Sequence, residues 1–451
     1  MKKVKRRTYL ILVLPVVLFL LSVTFLLRLV ADGDDWVMFP SNTNVFQGGN
    51  LRLGEVYDRN GIPLVTPGDA GLRFHENEGI RRANFHVVGD RRGSVGTSVL
   101  RAYGSALIGY NLITGVYSRS GAGNVAHLTI DAELNAIAHN ALAGRRGTVI
   151  VMNYETGEIL VNVSNPSFDP ANPPTFDSTD PNFEGVYLNR ALSSAFVPGS
   201  IFKVVTAAAA LEHLPDAQSR TTNCVGYLWV DGNRITCMGN HGSLNLTQAM
   251  GHSCNPFFAQ LALDLGGDTL HRYVERFGLL DNHRMGNITT AAGNFQAAPA
   301  GSPALAWSGV GQSENLVNPL SMVRFLGAIP RGGIPIEPYM VESVSGGILP
   351  PLGRGRTGDR IMPSHVAHEL SVILRQTASN FYTGSFPGLQ IAGKTGTGEV
   401  GEGRTPHSWF AGFLDDANHP YAFVVLVENA GFGIGAAGGV TNTVLQAAVN
   451  R

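Results

Sequence analysis

Residues 9–27, YLILVLPVVLFLLSVTFLL, carry no charged position and are about long enough to cross a bilayer, which takes ~20 residues. Beyond them the apolar pattern breaks into short elements. GEVYDRNGIPLV (54–65) reads as a β-hairpin with Asn60-Gly61 at its turn, and a helix is expected around Ser98 to Leu107. YSRSGAGN (117–124) has the small, polar composition of a linker. LTIDAELNAIAHNALAG (128–144) has helical spacing, and the following run to Pro170 reads as two strands around a Glu155-Thr156-Gly157 turn. A Pro-Gly pair opens a helix in FVPGSIFKVVTAAAALE (196–212), and NCVGYLWVDGNRITCMGNHG (223–242) is hairpin-like with Asp231-Gly232 at its tip. Two short helices are expected on either side of Ser253. LQIAGKTGTGEV, HSWFAGFLDD and YAFVVLVENA then read as three strands before a final helix from about Thr441. Strands early and late around a helical middle predict an α+β fold: a sheet assembled from both ends of the domain and flanked by helices.

Charge gives the apolar run a direction. Lys2, Lys3, Lys5, Arg6 and Arg7 precede it, while Asp32, Asp34 and Asp35 follow, which places the N-terminus in the cytoplasm and the rest outside. A cleaved signal peptide is the alternative, but its apolar region usually has ~7–15 residues, and Arg28-Leu29-Val30-Ala31 is a poor cleavage site. The expected organisation is a tail (1–8), a transmembrane anchor (9–29), a small pedestal domain (30–125) and a large domain (126–451). A hydrophobic fraction of 44% fits a globular core, and a net charge of -1 with no basic stripe argues against nucleic acid. No phosphate loop or His-Glu-x-x-His is present, and no cofactor is expected.

Candidate chemistry centres on Ser200 and Lys203, which share one face of a helix at positions i and i+3. A serine hydroxyl is a weak nucleophile until a base is held beside it. Lysine is scarce: of 33 basic residues five are lysines, namely Lys2, Lys3 and Lys5 in the tail, then Lys203 and Lys394. An amine can be pushed toward neutrality by burial, whereas a guanidinium cannot, so the two isolated lysines mark places where an amine is needed. Lys394 opens a Lys394-Thr395-Gly396 stretch on an expected strand. Taken singly, Ser200 also fits a helix cap, and Lys-Thr-Gly a surface turn. Ser-x-Asn occurs three times between the lysines, beginning at Ser243, Ser253 and Ser313. Ser253 and Asn255 are preferred because Asn255-Pro256 starts a helix there.

Ser-x-x-Lys, Ser-x-Asn and Lys-Thr-Gly in this order resemble a class B penicillin-binding protein, and the likeness covers nearly everything after the apolar run. GEVYDRNGIPL, TGEILVNVSNPSFDP, the GVGQ run at 309–312, NPLSM at 318–322 and HSWFAGF are similar to further landmarks of that family, although Leu53 stands where an arginine is commoner. The resemblance implies a D-Ala-D-Ala transpeptidase that cross-links peptidoglycan stem peptides, is acylated by β-lactams, and is anchored in a bacterial cell membrane. It implies that Ser200 is acylated, Lys203 is its base, and Ser253 with Asn255 guides proton transfer and the substrate amide. Lys394 and Thr395 would complete the electrostatics, Thr395, Gly396 and Thr397 would line the substrate or β-lactam site, and Thr397 would bind the substrate carboxylate. A helix-start N–H at Ser200 and an N–H from Thr397 on the facing strand would make an oxyanion hole. The segment from 31 to about 125 is short for a glycosyltransferase domain, so a separate membrane glycan polymerase is an implied partner.

Rival readings stay open at this point. A class A β-lactamase would need a Glu-x-x-x-Asn pair; Glu314 and Asn318 fit the spacing but lie within the stretch from GVGQ to NPLSM. A carboxypeptidase, a β-lactam sensor and a non-catalytic scaffold of wall synthesis are further alternatives. Cys224 and Cys237 bracket a hairpin in an exported domain, so a disulfide is expected. No metal site is expected, because their spacing with His241 or His252 fits no common zinc pattern. Cys254 is expected to fill space, Glu399 and Glu402 to lie on a solvated loop, and His407 to pack on its strand.

Overall fold

The computed structural model describes residues 2–37, 54–68, 71–110, 115, 123–175, 177, 179–345 and 355–451. The expected linker at 117–124 lies mostly outside these. Lys2–Val37 is one helix, and its segment Arg7–Gly33 is long and apolar enough to cross a membrane.

The main sheet has five antiparallel strands in the order Ile391–Gly398, His407–Leu414, Tyr421–Val427, Gly147–Asn153, Ile159–Asn165. Its central strands read as continuous apolar runs because both faces are covered. Side chains alternate between faces. Ile150, Met152, Trp409, Ala411, Val424 and Leu426 enter one core, which holds the helices Lys203–His213 and Pro319–Ala328. Val149, Val151, Phe410, Phe423 and Val425 enter a second core, against the helices Ala132–Leu142 and Gly439–Val449. The expected α+β layering is thus observed, with strands from both ends of the large region.

A second five-stranded sheet runs Val341–Val344, Val125–Leu128, Glu55–Tyr57, Pro63–Gly68, Gly71–Phe74. The hairpin turn at Asn60-Gly61 forms as expected: Gly61 has φ +79°, and Asp58 Oδ1 accepts from the N–H groups of Asn60 and Ile62 at 2.8 Å each. Val341–Val344 joins this sheet from far along the chain, so it draws strands from both sides of residue 125. The helix expected around Ser98 to Leu107 is two short helices, Val99–Ala102 and Gly104–Leu107.

The expected hairpin at 223–242 is a nested pair of ribbons. Tyr227–Val230 pairs with Asn233–Thr236 around Asp231-Gly232, and Thr221–Cys224 pairs with Gly242–Asn245 outside it. Helices Leu246–Gly251 and Asn255–Leu265 follow, with Ser253 between them.

Candidate active site

The Ser200 region begins with a tight approach of backbone to backbone. Gly199 opens a short 3-10 segment, Gly199–Phe202, with φ +54°, and the α-helix proper starts at Lys203. A Cβ on Gly199 would lie 2.1 Å from the Thr397 carbonyl, and one on Gly396 would lie 2.8 Å from the Pro198 carbonyl. Glycine is therefore required on both sides, and the edge strand Ile391–Gly398 lies directly against Ser200. Gly199 N–H donates to Gly311 O at 2.9 Å, which ties the GVGQ segment to the same place.

Lys203 is fully buried. Its Nζ donates to Ser253 O at 2.7 Å, Ser253 Oγ at 3.0 Å and Asn255 Oδ1 at 2.7 Å. Ser200 is half-buried and is not among these partners, although it stands one turn away on the same face. The amine thus picks out one of the three Ser-x-Asn candidates. Ser243 lies on the strand Gly242–Asn245, and Ser313 lies in the turn after the helix Pro303–Val310. Ser253 sits in the left-handed region at φ +54°, rare for a residue with a side chain, between two helix ends. Asn255 is fixed from its other end, where Nδ2 donates to Thr236 O at 2.8 Å.

Lys394, also buried, donates from Nζ to Thr395 O at 3.0 Å. Burial holds the Lys203 amine down to about 7 from an ordinary 10.5, against a smaller opposing pull from Cys237 and Cys254. Lys394 is pushed well below its ordinary value by burial and then by the charge of Lys203. Two buried amines that repel each other keep at least one of them neutral near pH 7.

The edge strand presents donors to the cleft. Thr397 O accepts from Gln312 Nε2 at 3.0 Å, on the side away from the neighbouring strand. In a strand a residue's N–H and C=O point the same way, so the Thr397 N–H also faces the cleft. Ser200, at the start of a helix, has an N–H without an intrahelical partner. Gln312 was not singled out in the sequence as a site residue. It spans the cleft, since its Oε1 also accepts from Glu399 N at 3.2 Å; its only signal was its place in GVGQ. Tyr382 was missed as well. Its hydroxyl lies 3.1 Å from Thr395 Oγ1 and accepts from Thr395 N–H at 3.1 Å.

The rival pair for hydrolysis is not assembled. Glu314 is exposed, and Asn318 caps the helix Pro319–Ala328, accepting from Leu320 and Ser321 N–H while donating to Leu192 and Ser194 O. Glu399 and Glu402 are exposed, and His407 is buried on its strand, where its Nδ1 accepts from Asn429 N–H. The expected disulfide between Cys224 and Cys237 is corrected: all three cysteines are free. The hairpin reading placed two thiols opposite each other, but both face the His241 ring, and Cys254 joins them.

The model of the "Penicillin binding protein transpeptidase domain" family matches residues 147–449, two thirds of the chain. The chain is 28% identical over 370 residues to the peptidoglycan D,D-transpeptidase PbpA of Mycolicibacterium smegmatis, covering 76% of this chain and 75% of that protein. It is 31% identical over 326 residues to PbpA of Mycobacterium tuberculosis, covering 65% of this chain and 64% of that protein. Among solved structures, penicillin-binding protein A of M. tuberculosis superposes with a TM-score of 0.76 at 25% identity, over 88% of this chain and all of that one. Its penicillin G acyl-enzyme complex matches with a TM-score of 0.75 at 25% identity, over 88% of this chain and 100% of that one. The match over residues 147–449 and the triad of motifs around two buried lysines agree: this chain belongs to the penicillin-binding protein transpeptidase family.

Proposed function

We infer that the chain is a peptidoglycan D,D-transpeptidase, a serine acyltransferase that β-lactams acylate, and that Ser200 is the residue acylated. The observation that carries the residue assignment is the buried Lys203 amine, lowered to about 7 and bound to Ser253 and Asn255 one turn from Ser200. In this reading Lys203 takes the Ser200 proton as Oγ attacks the carbonyl carbon of the penultimate D-Ala. The tetrahedral oxyanion is held by the N–H groups of Ser200 and Thr397, which face the cleft from two rigid elements. The C–N bond then breaks, and Ser253 relays a proton from Lys203 to the departing D-Ala amine. An amine on a second stem peptide attacks the acyl-enzyme, passes its proton back, and leaves the cross-link with Ser200 restored.

Lys394, itself pushed well below its ordinary value by burial and the charge of Lys203, donates from Nζ to Thr395 O and so braces the strand that receives the substrate carboxylate. Thr395 and Thr397 receive that carboxylate, and Gly396 permits the close approach of the strand. The five cations before the apolar helix support a cytoplasmic N-terminus and an outward-facing fold. Division at about residue 125 into pedestal and catalytic domain, and a separate membrane glycan polymerase as partner, complete the reading. The full chain, supplied with glycan strands bearing pentapeptides and an amine acceptor, should produce cross-linked dimers. Ser200→Ala should produce none, and cross-links formed by that variant would remove Ser200 from its role.

A further inference from the structure

Beneath the Ser253 turn, the nested ribbons of residues 221–245 bury Val230, Ile235 and Leu244 against the domain core but leave larger apolar side chains in solvent. Trp229 and Met238 are 62% and 77% exposed, and a two-stranded ribbon alone is marginal in water. At the root of the ribbons four soft ligands converge from separate stretches. Cys224 ends an outer strand, Cys237 follows the inner hairpin, His241 precedes the returning strand, and Cys254 is the residue before the helix Asn255–Leu265. Their ligand atoms all lie within 4.8 Å of one another. His241 Nδ1 is 3.6 Å from Cys224 Sγ and 3.6 Å from Cys237 Sγ. With Zn–S near 2.3 Å and Zn–N near 2.0–2.1 Å, the S···N edge of a tetrahedral zinc site is about 3.6 Å.

We propose that Cys224, Cys237, His241 and Cys254 bind one zinc ion, a structural site that pins the turn carrying Ser253 and Asn255. Three thiolates and an imidazole suit zinc among divalent ions, and a set of four protein ligands leaves no open position, as in structural sites. Binding releases the protons of the three thiols to solvent, and His241 coordinates through Nδ1 with its proton on Nε2. Cys254 is the middle residue of Ser-x-Asn. Its fixation holds Ser253 at φ +54° and Asn255 on the first turn of its helix. The Asn255–Thr236 hydrogen bond ties the same turn to the ribbon one residue before Cys237. The metal thus closes a loop of constraints around the partners of Lys203, which explains why an exported domain keeps these thiols apart from disulfides.

The metal site stands on its own geometry, whereas its effect on acylation rests on the transpeptidase reading. The full chain, purified without chelator, should contain one zinc per molecule by mass spectrometry of the metal. Cobalt(II) in its place should give the visible bands of tetrahedral thiolate coordination. His241→Ala and Cys224→Ser should lose the metal. The unmodified chain treated with a strong chelator is the second arm, independent of how those variants fold. Its three thiols should become titratable, and acylation by a fluorescent penicillin should slow by about tenfold or more, then recover on adding zinc. A chain that takes up neither zinc nor cobalt, or peptide mapping that finds any two of these cysteines bridged, would overturn the site. Zinc removal that leaves the acylation rate unchanged would overturn the pinning of Ser253 and Asn255. Bound zinc with no acylation in any form would uphold the site and count against the transpeptidase reading.

Discussion

Acylation of Ser200 should be governed by the protonation of Lys203. Burial, partly offset by Cys237 and Cys254, lowers this amine from 10.5 to about 7, a net of roughly 5 kcal/mol disfavouring the ammonium inside the fold. The base is the neutral form, so the rate must rise with pH and level off above the lowered value. At pH 7 about half of the molecules carry a neutral Lys203 and at pH 5 about one in a hundred, so acylation should fall about fifty-fold between them. The assay is the second-order rate constant for a fluorescent penicillin, whose carboxylate stays ionised over this range. Lys203→Arg retains the charge but cannot give up its proton, and it should lower the constant by about 10²–10⁴-fold at every pH. A flat profile from pH 5 to 8, or an arginine variant that acylates at the parental rate, would refute the reasoning.

Other consequences follow from single contacts. Gly199→Ala places a Cβ 2.1 Å from Thr397 O at a φ of +54°, so it should lower thermal stability by more than about 1 kcal/mol and slow acylation, both measurable on one preparation. Gln312→Ala removes the bonds to Thr397 O and Glu399 N that span the cleft; acylation should drop about tenfold while stability changes by only about 1 kcal/mol. Glu314 is exposed and its partner Asn318 is occupied as a helix cap, so Glu314→Gln should leave the lifetime of the acyl-enzyme unchanged. A longer lifetime in that variant would restore the hydrolytic reading.

Much of this site was legible because its chemistry needs residue types that the chain uses sparingly. Two amines in an arginine-rich sequence pointed to Lys203 and Lys394, and the apolar runs at 147–153 and 421–427 read as strands buried on both faces. What stayed hidden depends on long-range pairing. Val341–Val344 joins a sheet more than two hundred residues upstream, a partnership with no local signal. Gln312 and Tyr382 are ordinary residues until folding sets them against Thr397 and Thr395. The four ligands at the ribbon root fit no zinc spacing because strand pairing, rather than a short loop, brings them together. Cys224 and Cys237 read as a disulfide for the same reason: the hairpin is a local pattern, whereas the approach of Cys254, read as a space-filling residue beyond the next helix, depends on the fold.

The central claim is that Ser200 becomes covalently acylated, and intact mass of the full chain mixed with a penicillin tests it most directly. The account predicts one persistent adduct per chain, mapped by peptide analysis to Ser200 and absent in Ser200→Ala. An adduct on another residue, or one that survives the Ser200→Ala substitution, would contradict it.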